Sequence, residues 1–385
     1  MASEQFSKRN VILLLLFVAG LISCTATPPT VTVTNPSGYF GGGSSSGSGS
    51  GSSSSSGGST LPGCDSPVPS TFTAAAFLVS ATQEIIPLCA GNVLYQNQVT
   101  NQIGLVNLVT QTVVNTWQLS SKPTHMVLDS NSQYLYVALS GSNNIAKMDV
   151  TSASTTVTNI PISAAARWLA LTNSGVLLVN LAQPGFYSGN IDVVNTNTNS
   201  WVTTISGSFS IMMSYNPNTN ELLTADWGLS PVTKRRYLFN SGANTLTLEE
   251  STMANSQGNG KYLTLSPDYL HMSVSEGGGN VSGYGLVDFS TTALTSTSGT
   301  FSVGAYPEAT AFSPDSSTLL ATNTTSLEIF NVATHALTET ASPDLSACSL
   351  ASISRVAFSQ GGGLVFAYSY CGVSPTSGYM LVTRW

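Results

Sequence analysis

The chain has 385 residues, of which 42% are hydrophobic and only 8% are charged, with a net charge of −7. This length allows one large all-β domain or two ordinary domains. No basic run or stripe is present to meet phosphates, so the composition argues against a nucleic-acid partner.

The N-terminus has the pattern of an export signal. Lys8 and Arg9 precede the apolar run "VILLLLFVAGLIS", and residues 1–23 are therefore predicted to be a signal peptide. The run is too short for a comfortable membrane span. "LISC" (21–24) resembles the lipobox of bacterial lipoproteins, which implies that Cys24 carries a lipid such as palmitate. The alternative is an ordinary signal peptide cut a few residues later.

The lipobox resemblance also sets an expected location. Thr25 stands where an Asp would indicate retention in the inner membrane, so the outer membrane is favoured. The expected localisation is the cell envelope, with the protein held in the membrane by its lipid anchor. Whether it faces the periplasm or the cell surface stays open.

A low-complexity segment follows the lipidated cysteine. Residues 41–60 are nearly pure Gly and Ser, a composition that cannot bury apolar surface and stays a flexible coil. Residues 24–70 are therefore predicted to be a tether with a reach of roughly 35 Å. The folded domain is predicted to span 71–385.

The rest of the chain contains a repeat of about 45 residues. Its clearest mark is an apolar run followed by Asp or Asn and a turn, at Asn107, Asp149, Asn195, Asn240, Asp288 and Asn331. Each of these side chains is predicted to cap its own turn. A strand–turn–strand pattern, as in "VLDSNSQYLYVAL", precedes five of the six marks by about twenty residues.

Four short strands per repeat of this length indicate a β-propeller blade. The third strands are predicted at 103–108, 145–150, 190–195, 234–240, 283–288, 327–331 and 378–384. The last repeat lacks a fourth strand, and 71–79 is predicted to supply it. The predicted fold is therefore all-β, a seven-bladed β-propeller of four-stranded blades whose ring is closed by an N-terminal strand.

One repeat also points to a family. "YLYVALSGSNNIAKMDV" (134–150) resembles the repeat of YVTN-type surface-layer β-propellers, and "SPD" at 266–268 and 313–315 recurs there and in lactonase-like propellers. The resemblance covers roughly 75–385. It implies the propeller fold, whereas the function of a propeller depends on its particular site.

Four cysteines remain beside Cys24, and an even number outside the cytoplasm indicates disulfides. Three pairings are possible. The predicted strand map places Cys64 and Cys89 at one face of the disc and Cys348 and Cys371 at the other. We therefore expect Cys64–Cys89 and Cys348–Cys371. Metal ligation is the alternative, although no CxxC motif supports it.

Catalytic motifs are absent from the sequence. Outside the Gly/Ser-rich segment 41–60, no GxSxG, HExxH or CxxCH pattern occurs, and His125, His271 and His335 fall in different repeats. "EGGGN" (276–280) is interpreted as a hairpin loop. No metal and no cofactor is expected, and a binding role is favoured over an enzyme.

The strand map does predict one candidate site, at the mouth of the central channel. First strands are expected to begin there and second strands to end there. The charged and aromatic residues at these points are Arg167, Trp168, Asp226, Trp227, Lys261, Glu276, Glu308 and Arg355. Such a set suits a carbohydrate, a peptide or a polar small molecule. Alternatively, these charges pair across the channel and only seal it. The cluster "KRR" (234–236) is interpreted as a solvated edge.

The sequence therefore favours a lipid-anchored, monomeric binding or scaffold module for a protein, a glycan or a polar small molecule. Two alternatives stay open. One is a lactonase-like hydrolase acting at the channel mouth, although Arg167, Glu276, Glu308 and Arg355 form no known motif. The other is an envelope-assembly lipoprotein that grips a β-barrel partner.

Overall fold

The computed structural model describes residues 75–80, 84–108, 110–182, 188–256, 258–276, 286–304, 307–342, 351–371 and 377–384. The predicted signal peptide, Cys24, the tether, Cys64 and Cys348 lie outside the described residues, as do positions 277–280 of the "EGGGN" loop. Among the described residues, no helix has the length and apolarity needed to cross a membrane.

The strands of the described residues form seven four-stranded antiparallel sheets. Sheet 1 contains β2 (Ile85–Pro87), β3 (Asn92–Asn97), β4 (Gln102–Asn107) and β5 (Thr112–Gln118). Sheet 2 contains β6 (Pro123–Leu128), β7 (Tyr134–Leu139), β8 (Asn144–Asp149) and β9 (Thr158–Pro161). Sheet 3 contains β10 (Ala166–Leu171), β11 (Val176–Leu181), β12 (Ser188–Asn195) and β13 (Ser200–Ser210).

The next three sheets repeat this order. Sheet 4 contains β14 (Met212–Asn216), β15 (Glu221–Ala225), β16 (Lys234–Asn240) and β17 (Thr245–Thr252). Sheet 5 contains β18 (Gly260–Leu265), β19 (His271–Glu276), β20 (Leu286–Ser290) and β21 (Ala293–Phe301). Sheet 6 contains β22 (Thr310–Phe312), β23 (Thr318–Asn323), β24 (Ser326–Asn331) and β25 (Leu337–Ala341).

Sheet 7 joins the two ends of the described chain. It contains β26 (Ala351–Phe358), β27 (Leu364–Cys371), β28 (Ser377–Arg384) and, as its outer strand, β1 (Ala75–Ser80). β1 runs antiparallel to β28, with Ala75 opposite Val382 and Ser80 opposite Ser377.

The sheets pack face to face in chain order. The first strand of each sheet contacts the first strand of the next from β6 to β26, and β26 contacts β2. Second strands such as β7 and β11 are buried on both faces, which explains their nearly continuous apolar sequences. The apolar core lies between sheets; one cluster, for example, joins Leu94 and Trp117 of sheet 1 to Met126 and Leu135 of sheet 2. The protein is therefore an all-β propeller of four-stranded antiparallel blades.

Most of the marks that revealed the repeat cap their turns as predicted. In five repeats the side-chain oxygen of Asp or Asn accepts a hydrogen bond from a backbone N–H two or three residues later, at 2.9–3.0 Å. These five residues are Asn107, Asp149, Asn195, Asn240 and Asn331. This local bond shapes the connection between the third and fourth strands. Asp288 behaves differently, as described below.

Candidate functional site

A cavity of about 660 Å³ opens at one face of the disc, where first strands begin and second strands end. These two points meet because neighbouring strands of a blade run antiparallel. The cavity, called here the channel-mouth cavity, is lined by five of the eight residues that the strand map selects. These five residues are Arg167, Trp168, Trp227, Lys261 and Arg355. Whether they bind a ligand stays a prediction.

The channel-mouth cavity is rich in positive charge. Four of the chain's eleven lysines and arginines line it, namely Lys122, Arg167, Lys261 and Arg355, while Glu84 is the acidic residue of the lining. Glu308 lies beside the cavity, with its Oε1 3.7 Å from Nζ of Lys261. Both of these side chains are about one-third exposed, so solvent screens their pairing. A positive excess in a chain of net charge −7 favours an anionic ligand here.

Aromatic rings from three sheets pack together at this cavity, and two of these rings, Trp168 and Tyr262, form its inner wall. His125 stacks on Trp168 with ring centroids 4.0 Å apart and an interplanar angle of 28°. The Tyr262 ring lies 5.9 Å from Trp168, and the Arg355 guanidinium lies 5.4 Å from the centre of the Tyr262 ring. Stacked and cation–π contacts of this kind hold the rings in one arrangement. Trp227, by contrast, is 45% exposed and offers an open ring face at the rim.

A buried hydrogen-bond pair lies under this wall. His125 Nε2 is 3.1 Å from Glu84 Oε1, and both side chains are almost completely buried. Leu169 N–H donates to His125 Nδ1, which places the imidazole proton on Nε2, where it points at Glu84. Glu84 Oε2 accepts from the backbone N–H of Met126 and from the side-chain amide of Gln96. Both imidazole nitrogens are therefore occupied by protein groups.

Burial controls the ionisation of this pair. It raises the pKa of Glu84 to about 8, against the opposing effects of the Arg355 charge and the Met126 N–H. Burial, together with Arg355, lowers the pKa of His125 to about 3, so the imidazole is neutral at physiological pH. Burial also raises the pKa of the Tyr262 hydroxyl. With Glu84 largely protonated at neutral pH, the positive charge of the lining is not offset by this carboxyl group.

The strand map missed Glu84 and did not select His125 as a site residue. Glu84 directly precedes β2, so the rule that selected Arg167 and Lys261 would have found it if applied to the first repeat. His125 occupies the same position near the start of β6.

None of the three predicted acidic residues lines the cavity: Glu308 lies beside it, whereas Asp226 and Glu276 pair with cations of β16. Asp226 Oδ1 lies 3.1 Å from the Arg235 guanidinium and accepts a hydrogen bond from the Ser210 hydroxyl at 2.7 Å. Burial acts to raise the pKa of Asp226, but the hydrogen bonds from Ser210 and Thr233 and the charge of Arg235 bring it below its usual value. Glu276 is buried, and its Oε1 lies 2.9 Å from Lys234 Nζ. β16 carries both partner cations, Lys234 and Arg235, so these two carboxylates pair within the protein.

The interpretation of "KRR" as a solvated edge is wrong. Lys234 is fully buried, with its ammonium 4.5 Å from the centre of the Phe289 ring. Arg236 contacts Glu221 at 2.6 Å and Glu250 at 3.6 Å. The cluster lies on β16, the third strand, as predicted. β16 lies between β15 and β17 in sheet 4 and contacts β21 of sheet 5, so its cations pair with carboxylates of these sheets.

The prediction that Asp288 caps its own turn is also wrong. This residue contacts two histidines instead, with its carboxylate 2.9 Å from Nδ1 of His271 and 2.9 Å from Nε2 of His335. His271 belongs to sheet 5, and His335 belongs to the turn before β25 in sheet 6. The hydrogen bond that Asp288 accepts from His271 raises the pKa of this histidine against the effect of burial. The sequence placed these histidines in different repeats, and the packing of neighbouring sheets brings them together.

The positions of two of the cysteines are described, but the pairing of the cysteines stays a prediction. Cys89 begins the 3₁₀ turn Cys89–Gly91 between β2 and β3, as predicted, and it is disulfide-bonded. Cys371 ends β27, also as predicted. Because Cys64 and Cys348 lie outside the described residues, the pairings Cys64–Cys89 and Cys348–Cys371 stay predictions. Among the described residues, no group of three or more His, Cys, Asp or Glu is placed to hold a metal ion.

Comparison with known proteins supports the fold. No family profile matches the chain, and no curated protein matches it. Solved structures do match: one is the Kuenenia stuttgartiensis hydrazine synthase, with a TM-score of 0.59 and 14% sequence identity. The match covers 77% of this chain and 92% of that chain. At this identity it shows the fold alone. The resemblance to YVTN-type repeats stays a prediction.

Proposed function

We propose that this protein is a binding module whose channel-mouth cavity takes an anionic ligand with a ring face, such as a uronic-acid saccharide. The observation that carries this proposal is the lining, which places Lys122, Arg167, Lys261 and Arg355 around one opening with Glu84 as their acidic counterpart. Cations converging on a concave surface attract and orient a carboxylate.

The aromatic residues support a saccharide over a simple anion. Trp227 offers an open ring at the rim, and Trp168 is held inside by a 2.9 Å hydrogen bond from its Nε1–H to the Met213 carbonyl. A sugar presents an apolar C–H face that packs on such rings, and its carboxylate can reach the arginines. The protein's contribution is recognition, since both nitrogens of His125 are engaged by Glu84 and Leu169.

The test uses a galacturonic acid trimer and isothermal titration calorimetry. We expect Trp227→Ala and Arg167→Gln to weaken binding by about tenfold or more, because each removes a direct contact. Trp201→Ala is the matched control, because Trp201 is 47% exposed on β13 and Trp227 is 45% exposed in the cavity. The proposal fails if the trimer does not bind, or if the control variant weakens binding equally.

We also propose that the domain is anchored to the envelope through a lipid on Cys24 and presented on the tether 24–70, facing the periplasm or the cell surface. The support is the lipobox-like "LISC" after a basic and apolar leader. Metabolic labelling with a palmitate analogue tests it. Label on the wild type and none on Cys24→Ala is expected, whereas equal labelling of both contradicts the anchor.

A further proposal concerns how the seven sheets are arranged. We infer that the seven sheets are the blades of one ring, and that β1 closes this ring by completing the last blade. Its support is the pairing of β1 with β28 and the contact of β26 with β2. Deleting 75–80 is expected to lower the thermal midpoint by several degrees, because an unpaired edge and its packing are lost. An unchanged midpoint contradicts this closure.

A further inference from the structure

A second cavity, of about 650 Å³, opens on the opposite face of the disc. Its wall comes from the connections β6–β7, β10–β11 and β12–β13, and Tyr269 reaches it from the β18–β19 connection. In an antiparallel blade these connections lie at the end away from the channel-mouth cavity. The two cavities share no lining residue.

The chemistry of this second cavity differs from that of the first. Amide and hydroxyl side chains dominate its lining, among them Asn131, Asn173 and Asn197. Its two charged residues, Asp129 and Lys147, have opposite signs. The cavity therefore has no charge excess, and its many short donors and acceptors suit a neutral ligand that carries several hydroxyl groups.

Lys147 is held in place by the protein and still has a donor left. Its ammonium donates to the Thr196 carbonyl at 3.1 Å and to Asn199 Oδ1 at 2.9 Å, and it lies 4.4 Å from the centre of the Tyr134 ring. An ammonium has three N–H groups, and these two bonds use two of them. Partial burial lowers the pKa of this lysine. The third N–H is left for a further partner, either the Tyr134 ring face or a ligand hydroxyl.

Asp129 supplies a matching acceptor. Its Oδ1 accepts the backbone N–H groups of Gln133 at 2.7 Å and Tyr134 at 2.8 Å, which fixes the carboxylate at the turn after β6. These two bonds also fix the orientation of Oδ2, the other oxygen of the carboxylate. A carboxylate acceptor and an ammonium donor in one cavity can each bind a hydroxyl of a sugar.

Tyrosine rings complete the lining. Tyr134 and Tyr269 are half-buried, and Tyr136 is 3% exposed. The C–H faces of a sugar pack on aromatic rings, whereas its hydroxyls need amide and carboxylate partners around them. A volume of this size lies within the usual range for small-molecule sites, roughly 300–1,000 Å³.

We propose that this second cavity is a binding site for a short neutral saccharide, held by Asp129, Lys147 and the surrounding amides. The site is separate from the channel-mouth cavity and does not depend on the function proposed for it. The protein would then present two saccharide sites of different charge preference, one on each face of the disc.

Saturation-transfer NMR with maltose, cellobiose and N,N′-diacetylchitobiose tests this site on the intact protein. Binding of at least one of them is expected, at a dissociation constant of about 1 mM or tighter. The double variant Asn131→Ala/Asn173→Ala is expected to weaken that binding by about tenfold. Both asparagines are exposed turn residues, so folding should be retained. Lys147→Met serves as a second variant, with its fold checked by its thermal midpoint.

The control variant is Trp227→Ala, which should leave the neutral saccharide bound and weaken only the uronate. The proposal is overturned if none of the three disaccharides binds at about 10 mM. It is also overturned if Trp227→Ala removes the bound disaccharide while the asparagine variant does not, because that result assigns the sugar to the channel-mouth cavity. Failure of uronate binding alone leaves this proposal intact.

Discussion

His125 stacks on Trp168 at a centroid distance of 4.0 Å, although the two residues come from the first strands of different sheets. Trp168 also donates to the Met213 carbonyl of the next sheet. One indole therefore links three neighbouring sheets at the inner wall of the channel-mouth cavity. Trp168 is only 9% exposed, so these contacts bury most of the indole.

Trp168→Ala is therefore expected to lower the free energy of unfolding by about 3–5 kcal/mol, because it leaves a cavity and an unpaired carbonyl. Guanidinium titration followed by far-UV circular dichroism measures this cost. Trp201→Ala, at an exposed outer-strand site, should change stability by no more than about 0.5 kcal/mol. Equal costs at the two positions would contradict the linking role of Trp168.

The buried pair Lys234–Glu276 predicts a non-additive double-mutant cycle. Glu276→Gln leaves a fully buried ammonium without its anionic partner and should cost about 3–5 kcal/mol. Adding Lys234→Met to it should recover at least half of this loss, because the uncompensated charge is gone. Urea denaturation of the four proteins measures the coupling. If the stability losses of the two single variants add up to the loss of the double variant, the two charges do not depend on each other.

The Asp288–His271 contact predicts a pH-dependent contribution to stability. The pKa of His271 is raised above its ordinary value of 6.5, so its contribution is complete below pH 6.5 and is lost as pH rises through the folded-state pKa. The stability difference between wild type and His271→Gln should therefore be larger at pH 5.5 than at pH 9, by about 1 kcal/mol. Thermal or urea unfolding at both pH values measures it. A constant difference would show that the proton on His271 contributes nothing.

Glu84 predicts how anion binding responds to pH. Its pKa is raised to about 8, so it is protonated at pH 6.5 and ionised at pH 9.5. Ionisation adds a negative charge to the lining of the channel-mouth cavity and should weaken uronate binding by about tenfold. Calorimetry at the two pH values should show this loss of affinity in wild type. In Glu84→Gln the affinity should change much less between the two pH values. An equal pH response in both proteins would assign the effect to another group.

Strand positions could be predicted well from the sequence, and the reason is local. Third strands predicted at 145–150 and 327–331 are found at Asn144–Asp149 and Ser326–Asn331. A strand is marked by alternating apolar residues, and a turn is marked by a capping Asn or Asp. Both signals involve only a few neighbouring residues, so they can be found in the sequence. The same rule located the starts of first strands, which explains why Arg167, Lys261 and Arg355 do line one cavity.

The contacts between sheets could not be predicted in the same way. Asp288 has the sequence mark of a turn cap, yet it binds His271 and His335. Glu276 has the strand position of a channel-mouth residue, yet it pairs with Lys234 inside the protein. In each case the partners lie up to about 47 residues apart and meet through the packing of neighbouring strands or sheets, where the rotation of each side chain decides which charge it reaches.

The repeated four-stranded units of this protein follow from sequence patterns alone, because periodic apolar residues and turn chemistry act over a few residues. The same patterns also place a set of cations at the starts of first strands. Which charges stay at the cavity wall and which are neutralised inside depends on distances and burial between different sheets, and these arise only when the sheets pack. The positive excess of the channel-mouth cavity, with Glu84 buried beneath it, is a property of that packing.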